Sequence, residues 1–210
     1  MAVGDLSFWK AHFRSYDSRF IAKIIQHWPS CVQVLTSSAE EDDITNNLVH
    51  RLCKDSEVRD IGWPEAQYVP LDEIQYSSVV KAKGFIDIAL IINGNRDDYI
   101  AYECKRLNVV YSTGRQSLAT QYVNDGLKRF VYQQYSSTLP VACMIGYIMD
   151  GDLSFAKKSI NVAITTHLSG SELISQPKDI DAMGASARFQ TEHTRKDGSP
   201  IEILHSFLSF

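Results

Sequence analysis

Hydrophobic and polar positions change rhythm several times along the chain. From Leu6 to Trp28 the apolar residues Phe8, Trp9, Phe13, Tyr16, Phe20, Ile21, Ile24 and Ile25 recur mostly at steps of three or four. This spacing predicts one or two amphipathic helices, which Pro29 should end, because proline disfavours helical backbone in the residue before it. Aromatic residues at helical spacing read as core packing rather than as a stacking surface for nucleic acid. The run Ser37-Ser38-Ala-Glu-Glu-Asp-Asp opens another helix, with a serine as the expected cap and acids in the first turn, where the helix dipole favours them. It should extend to about Lys54 with Ile44, Leu48 and Leu52 as its apolar stripe, and Glu41 lies three residues before Ile44 on that inward side.

The centre of the chain has strand character. Gly84-Phe-Ile-Asp-Ile-Ala-Leu-Ile-Ile and Tyr99-Ile-Ala-Tyr-Glu-Cys-Lys105 are rich in β-branched and aromatic residues, and the turn-forming Asn93-Gly-Asn-Arg-Asp-Asp between them predicts an antiparallel hairpin. Upstream, Gly62-Trp-Pro is turn-rich and Gln67 to Leu71 weakly strand-like. Downstream, a loop from Leu107 to Gly114 leads to an expected long helix from about Arg115 to Tyr135, with Tyr122, Gly126, Arg129 and Phe130 on one side. A glycine inside a helix costs about 1 kcal/mol relative to alanine, so Gly126 should mark a close packing contact. The unbroken apolar run Val141 to Met149 suits a strand buried on both faces, and a helical crossover makes it parallel to Tyr99–Lys105. A helix from Leu153 to Thr165, a loop from Ser169 to Ala185, and a last hairpin of Phe189–Arg195 with Ile201–Phe207 complete the reading.

Composition narrows the class. With 210 residues, 44% hydrophobic and 22% charged, the chain suits one soluble α/β domain spanning 1–210: a helical segment 1–36, a core 37–165, and a C-terminal loop and hairpin 166–210. No apolar run has membrane-spanning length and no secretion signal opens the sequence, so a cytoplasmic protein without a membrane partner is expected. The net charge of −4 argues against indiscriminate coating of nucleic acid through overall charge, though not against a local basic groove. Cys31, Cys53, Cys104 and Cys143 form no CxxC pair and read as reduced thiols. His193 and His205 have no metal-ligand spacing and read as partly exposed strand residues.

Charge inside the apolar strands changes the picture. Asp87 lies between Ile86 and Ile88, and Glu103 and Lys105, two apart, share one strand face. Burying charge without a partner or metal is costly, so a strand that served stability alone would not carry these residues. The order of pieces, Glu41-Asp-Asp-Ile-Thr on a helix, Gly84-Phe-Ile-Asp87 in one strand, Tyr102-Glu-Cys-Lys-Arg-Leu107 in the next, then a helix and a buried strand, resembles the PD-(D/E)xK nuclease superfamily from Ser37 to Tyr147. Ile86 stands where many members carry proline.

The resemblance implies a restriction-endonuclease-like mixed sheet flanked by helices, with a C-terminal hairpin, and an endonuclease that hydrolyses DNA in bacterial defence or DNA processing. Its cofactor would be Mg2+ or Mn2+, held by Asp87, Glu103, the backbone carbonyl of Cys104, and Glu41 as helix acid, with Glu40 as the alternative. Lys105 would orient water, help deprotonate it, or stabilise charge on the phosphate. Tyr122, Arg129 and Lys83 are weaker candidates for nucleic-acid contact. RNA cleavage, and a binding module that keeps the fold without catalysis, are the alternatives. Cutting both strands of a duplex points to a homodimer or a partner subunit.

Overall fold

The computed structural model describes residues 6–73, 80–82, 84–134, 136, 138–168, 170–180 and 187–210. Three helices lead: α1 (Leu6–Val32), α2 (Glu41–Leu52) and the short α3 (Ser56–Arg59). Pro29 does not end α1 but lies inside it. Trp28 and Cys31 on either side are buried, and Gln33 N–H still reaches the Pro29 carbonyl at 3.2 Å, so packing outweighs the proline's cost of about 3 kcal/mol. No serine caps α2. Its N-cap is Glu40, without a side-chain cap bond, and Ser38 instead bonds Thr36. Ile44, Leu48 and Leu52 are buried as their spacing predicts.

The strands are β1 (Trp63–Tyr68), β2 (Leu71–Glu73), β3 (Val80–Ala82), β4 (Ile86–Ile91), β5 (Tyr99–Leu107), β6 (Val109–Tyr111), β7 (Gly114–Gln116), β8 (Val141–Ile148), β9 (Leu173–Asp179), β10 (Ala187–Thr194) and β11 (Pro200–Ser209). Seven of them form one sheet in the order β1-β4-β5-β8-β11-β10-β9. The sheet is mostly antiparallel, and β5, β8 and β11 are mutually parallel at its centre. The expected hairpin is β4 and β5, paired from Ile91↔Tyr99 to Ile88↔Tyr102, and β8 runs parallel to β5 as the crossover requires. Between them the helix is shorter than its pattern suggests. The β6–β7 ribbon takes its first residues, and the rest is α4 (Ala119–Tyr122), a π-helical turn (Val123–Leu127) and α5 (Lys128–Val131). The helix α6 (Leu153–His167) then returns the chain across the sheet.

The C-terminal region is more regular than its sequence suggests. Leu173–Asp179, expected as loop, is the edge strand β9, half exposed, which is why it lacks a clear apolar rhythm. The last hairpin, β10 and β11, is no appendage, because β11 pairs with β8 along its length.

Helices cover both faces. Phe20, Ile24, Ile44 and Leu48 from α1 and α2 pack with Tyr102, Cys104, Ile145 and Tyr147 on one side. Leu127, Phe130, Ile160 and Ile164 pack with Ala101, Met144, Phe189 and Phe207 on the other. The fold class is therefore mixed α/β, a large mostly antiparallel sheet flanked by helices. The buried Asp17 of α1 pairs with Arg188 of β10 and accepts from Tyr102 at 3.2 Å, tying the first helix to the far strands. Among the described residues no helix is long and apolar enough to cross a membrane.

Candidate active site

The β4–β5 ladder stops at Ile88↔Tyr102, and what replaces the next rung is a side chain. Cys104 N–H donates to Asp87 Oδ2 at 2.7 Å, so the carboxylate satisfies a buried backbone donor. Glu103 and Lys105 follow on the same face of β5, as the period of two requires. Their stems pack against the π-helical turn, where a Cβ on Gly126 would stand 3.5 Å from Glu103 Cγ and 3.6 Å from Lys105 Cγ. A Cβ there would also meet Met144 Cε at 2.6 Å, so Gly126 is the close contact its position in a helix implied.

The Lys105 ammonium is the point of convergence. Its Nζ lies 2.6 Å from the Cys104 carbonyl oxygen, 2.8 Å from Glu41 Oε1, 2.9 Å from Glu103 Oε1 and 3.6 Å from Asp87 Oδ2. These are the four oxygen donors expected from the sequence. Glu41 is the inward helix acid, and its other oxygen accepts from Arg106 N–H at 3.0 Å. Glu40 does not reach Lys105 but pairs with Arg106 Nη2 at 2.6 Å on the border of the same cleft, with its side chain largely exposed. Arg129, from α5, reaches Glu103 Oε1 at 2.6 Å.

No protein-family model, curated protein or solved structure matches the chain. What the site can do therefore rests on its own geometry and charge.

Glu103 is completely buried, and burial first, then the neighbouring Asp87, pushes its carboxyl up to about 7. Asp87 is raised as well, mainly by burial, against the pull of Lys105. Burial lowers the Lys105 ammonium, but Glu103, Asp87 and Glu41 together outweigh it and hold the group above its ordinary value. Lys105 is thus a permanent cation at neutral pH, suited to donating hydrogen bonds rather than to removing a proton. The Cys104 thiol is pushed well up by burial and is inert.

Among the described residues no three acidic, histidine or cysteine side chains stand ready-made as a metal-binding group, and Lys105 Nζ fills the space between the carboxylates. The donor chemistry nonetheless fits a hard divalent cation. All the donors are oxygens, and Glu103 Oε2 is buried with no hydrogen-bond partner, an available lone pair in a place where one is expensive. A cleft of about 370 Å3 opens onto the site, bordered by Glu40, Glu41, Asp42, Lys105, Arg106, Leu118 and Gln121.

The weaker candidates separate. Arg129 is at the site. Lys83 lies outside the described residues. Tyr122 is corrected: it is wholly buried, and its hydroxyl bonds His205 Nδ1 at 2.9 Å, away from any substrate. The histidines are corrected too. Both are fully buried and share the Thr191 hydroxyl, at 2.7 Å from His193 Nε2 and 2.9 Å from His205 Nε2. Alternation along β10 and β11 held the sign of their burial, but strand register against β8 was needed to see it. All four cysteines are free, and Cys53 alone among them is only partly buried.

Proposed function

We propose that this chain is a divalent-metal-dependent nuclease that hydrolyses DNA phosphodiester bonds. The observation that carries the proposal is the convergence of Glu41, Asp87, Glu103 and the Cys104 carbonyl on one cationic point beside an open cleft. The chain order of helix acid, strand Asp, strand Glu-Cys-Lys, crossover helix and parallel strand also agrees with the PD-(D/E)xK resemblance.

Asp87, Glu103, Glu41 and the Cys104 carbonyl would hold Mg2+ or Mn2+. Bound there, the ion would neutralise phosphate charge and make water a better nucleophile. Lys105, held charged by its three acids, borders the cleft, and its N–H groups would orient water or meet charge developing on the phosphate once an ion takes over those oxygens. Arg129 holds Glu103 Oε1 and keeps that carboxylate in place. Cys104 acts through its backbone, since its thiol is buried and inert. Cleavage of both strands of a duplex would take two copies or a partner subunit.

The test is cleavage of linear, supercoiled and branched DNA and of single-stranded RNA, with Mg2+ or Mn2+. DNA cutting that disappears in Glu103→Ala and Lys105→Ala, with circular dichroism unchanged, is the expected result. Failure to cut any DNA form sinks the proposal, and cutting of RNA alone reassigns the substrate. One observation favours a non-catalytic binding module instead: Lys105 and Arg129 already compensate Glu103 within the chain. Calorimetry that shows metal binding without hydrolysis of any nucleic acid would select that reading.

A further inference from the structure

The β6–β7 ribbon leaves the sheet where the cleft begins. Arg106, just before it, and Leu118, just after it, both border the cleft, so the ribbon's two ends are rooted at the site. Its pairing is regular, Val109↔Gln116, Val110↔Arg115 and Tyr111↔Gly114. Its base is braced. Asn108, wholly buried with left-handed backbone (φ 55°), donates through Nδ2 to Asp150 Oδ1 and to the Asp152 carbonyl, both at 2.9 Å. Asn108 N–H bonds Ser117 O at 3.1 Å, and Arg115 joins Asp150 and Asp152 at 2.9 and 3.0 Å while lying 3.8 Å over the Phe155 ring.

Beyond that brace the ribbon packs on little. Val110 is 64% exposed and Tyr111 43% exposed, and every residue of β7 is exposed. Such a firmly held, apolar-tipped ribbon contributes little to the core, so folding gives no reason for Val110 and Tyr111. The ribbon's side-chain chemistry says what it faces. In a chain with 25 acidic residues, none occurs from Leu107 to Asn124, where Ser112, Thr113, Gln116 and Ser117 supply hydrogen-bonding groups; Arg106 and Arg115 beside them are paired with Glu40 and with Asp150 and Asp152. The ribbon strands themselves thus carry no negative charge toward a polyanion, although the cleft beside them is bordered by Glu40, Glu41 and Asp42.

We propose that this ribbon is the groove-reading element of the nuclease. It enters a groove of duplex DNA beside the cleft, with Tyr111 and Val110 against base edges and sugars and the hydroxyl and amide side chains toward phosphates. A two-stranded ribbon is the width that a major groove of about 12 Å admits. The inference rests on the nuclease reading above and names the substrate form, a duplex, that the site would take.

The test is fluorescence anisotropy of a fluorescein-labelled DNA duplex and of its single strand, without divalent metal, for the wild type, Tyr111→Phe, Tyr111→Ala and the double variant Val110→Ser/Tyr111→Ala. Duplex affinity should fall about ten-fold in the double variant, less in Tyr111→Ala, and hardly at all in Tyr111→Phe. The melting temperature should not move, since both side chains are exposed, and duplex cleavage should lose in KM rather than in kcat. Unchanged duplex affinity in a folded double variant overturns the inference. So does a double variant that keeps its duplex affinity while light scattering shows a wild-type dimer split into monomers, which would make the ribbon a self-association face; in both cases the nuclease reading survives. A wild type that neither binds nor cuts DNA removes both.

Discussion

Glu103 should be a residue that the protein keeps at the expense of stability. It is completely buried, and its carboxyl titrates at about 7 instead of the ordinary 4.5, because burial and then Asp87 disfavour the charge more than Lys105 and Arg129 favour it. The folded protein therefore holds this proton up to about pH 7, while the unfolded chain releases it near 4.5. Between those values the native state binds more protons, so stability falls as pH rises through the window. The shift corresponds to about 3 kcal/mol, absent well below pH 4.5 and complete above pH 7. Glu103→Gln removes the titration while keeping the shape. Its amide oxygen can serve Lys105 and Arg129, and an orphaned donor replaces the orphaned acceptor Oε2, which is neutral to first order.

The variant should therefore be more stable than the wild type by about 3 kcal/mol at pH 8.5 in EDTA, and by less than about 1 kcal/mol at pH 5. For a chain of this size that is a rise in melting temperature of roughly 6 to 12 °C at the higher pH. Urea and thermal unfolding, followed by circular dichroism at the two pH values, measure it directly. The same variant should cut no DNA. A Glu103→Gln protein that is less stable at pH 8.5, or whose advantage is equal at both pH values, refutes the reasoning that burial dominates the charge of this carboxylate.

Other consequences follow from the same geometry. Mg2+ should raise the melting temperature of the wild type at pH 8.5 but barely that of Glu103→Gln; at a hundred times its Kd the ion stabilises by about 2.7 kcal/mol. Burial holds the His193 ring down at about 4, so its native state stays neutral while the unfolded chain protonates near 6.5, and on the order of 3 kcal/mol should be lost as pH falls through that window. Urea midpoints in the Glu103→Gln background remove the opposing Glu103 titration, and His193→Gln in that background separates the His193 share from that of His205, which burial lowers in the same direction. Gly126→Leu should cost about 1–3 kcal/mol and abolish cutting by displacing Met144, Glu103 and Lys105, whereas Gly126→Ala should be mild because only the mobile end of Met144 must shift. Asp87→Ala should lose about 1–3 kcal/mol by orphaning Cys104 N–H, while Asp87→Asn, which can still accept that bond, should keep its stability and lose cleavage; equal stability losses would sink that division.

Much of the site was legible because strands advertise their exceptions. Asp, Glu and Lys in Ile- and Ala-rich runs need a reason, and the two-residue period alone puts Glu103 beside Lys105. Glu41 was legible from its distance to Ile44 along a helix. Other features depend on partners that no local pattern contains. Pro29 reads as a stop until Trp28 and Cys31 are seen to be buried around it. The strand β9 is an edge with one neighbour, and its positions alternate only between half-exposed and exposed, so Leu-Ile-Ser-Gln-Pro-Lys-Asp carries no matching apolar rhythm. A hairpin considered alone leaves His193 and His205 partly exposed, whereas the pairing of β11 with β8 encloses both.

The least legible feature explains why the site exists where it does. In a complete antiparallel ladder, Cys104 N–H would be satisfied by backbone, and the position of Asp87 would be one more buried apolar residue. Here the ladder ends at Ile88↔Tyr102 and the Asp87 carboxylate takes the N–H itself. The two strands are thereby released from each other just where Glu103 and Lys105 emerge, and Glu41 from the helical layer can reach Lys105 and Arg106 N–H. One carboxylate thus closes the fold's hydrogen-bond account and opens the sheet. The π-helical turn completes the arrangement from the other side, since Gly126 brings the helix within contact of Glu103 and Lys105, and Arg129 follows within reach of Glu103. A sheet that was regular through residues 84–107 and a helix that was regular through 119–131 would have been more stable locally, and neither would have left room for four oxygens around one cation.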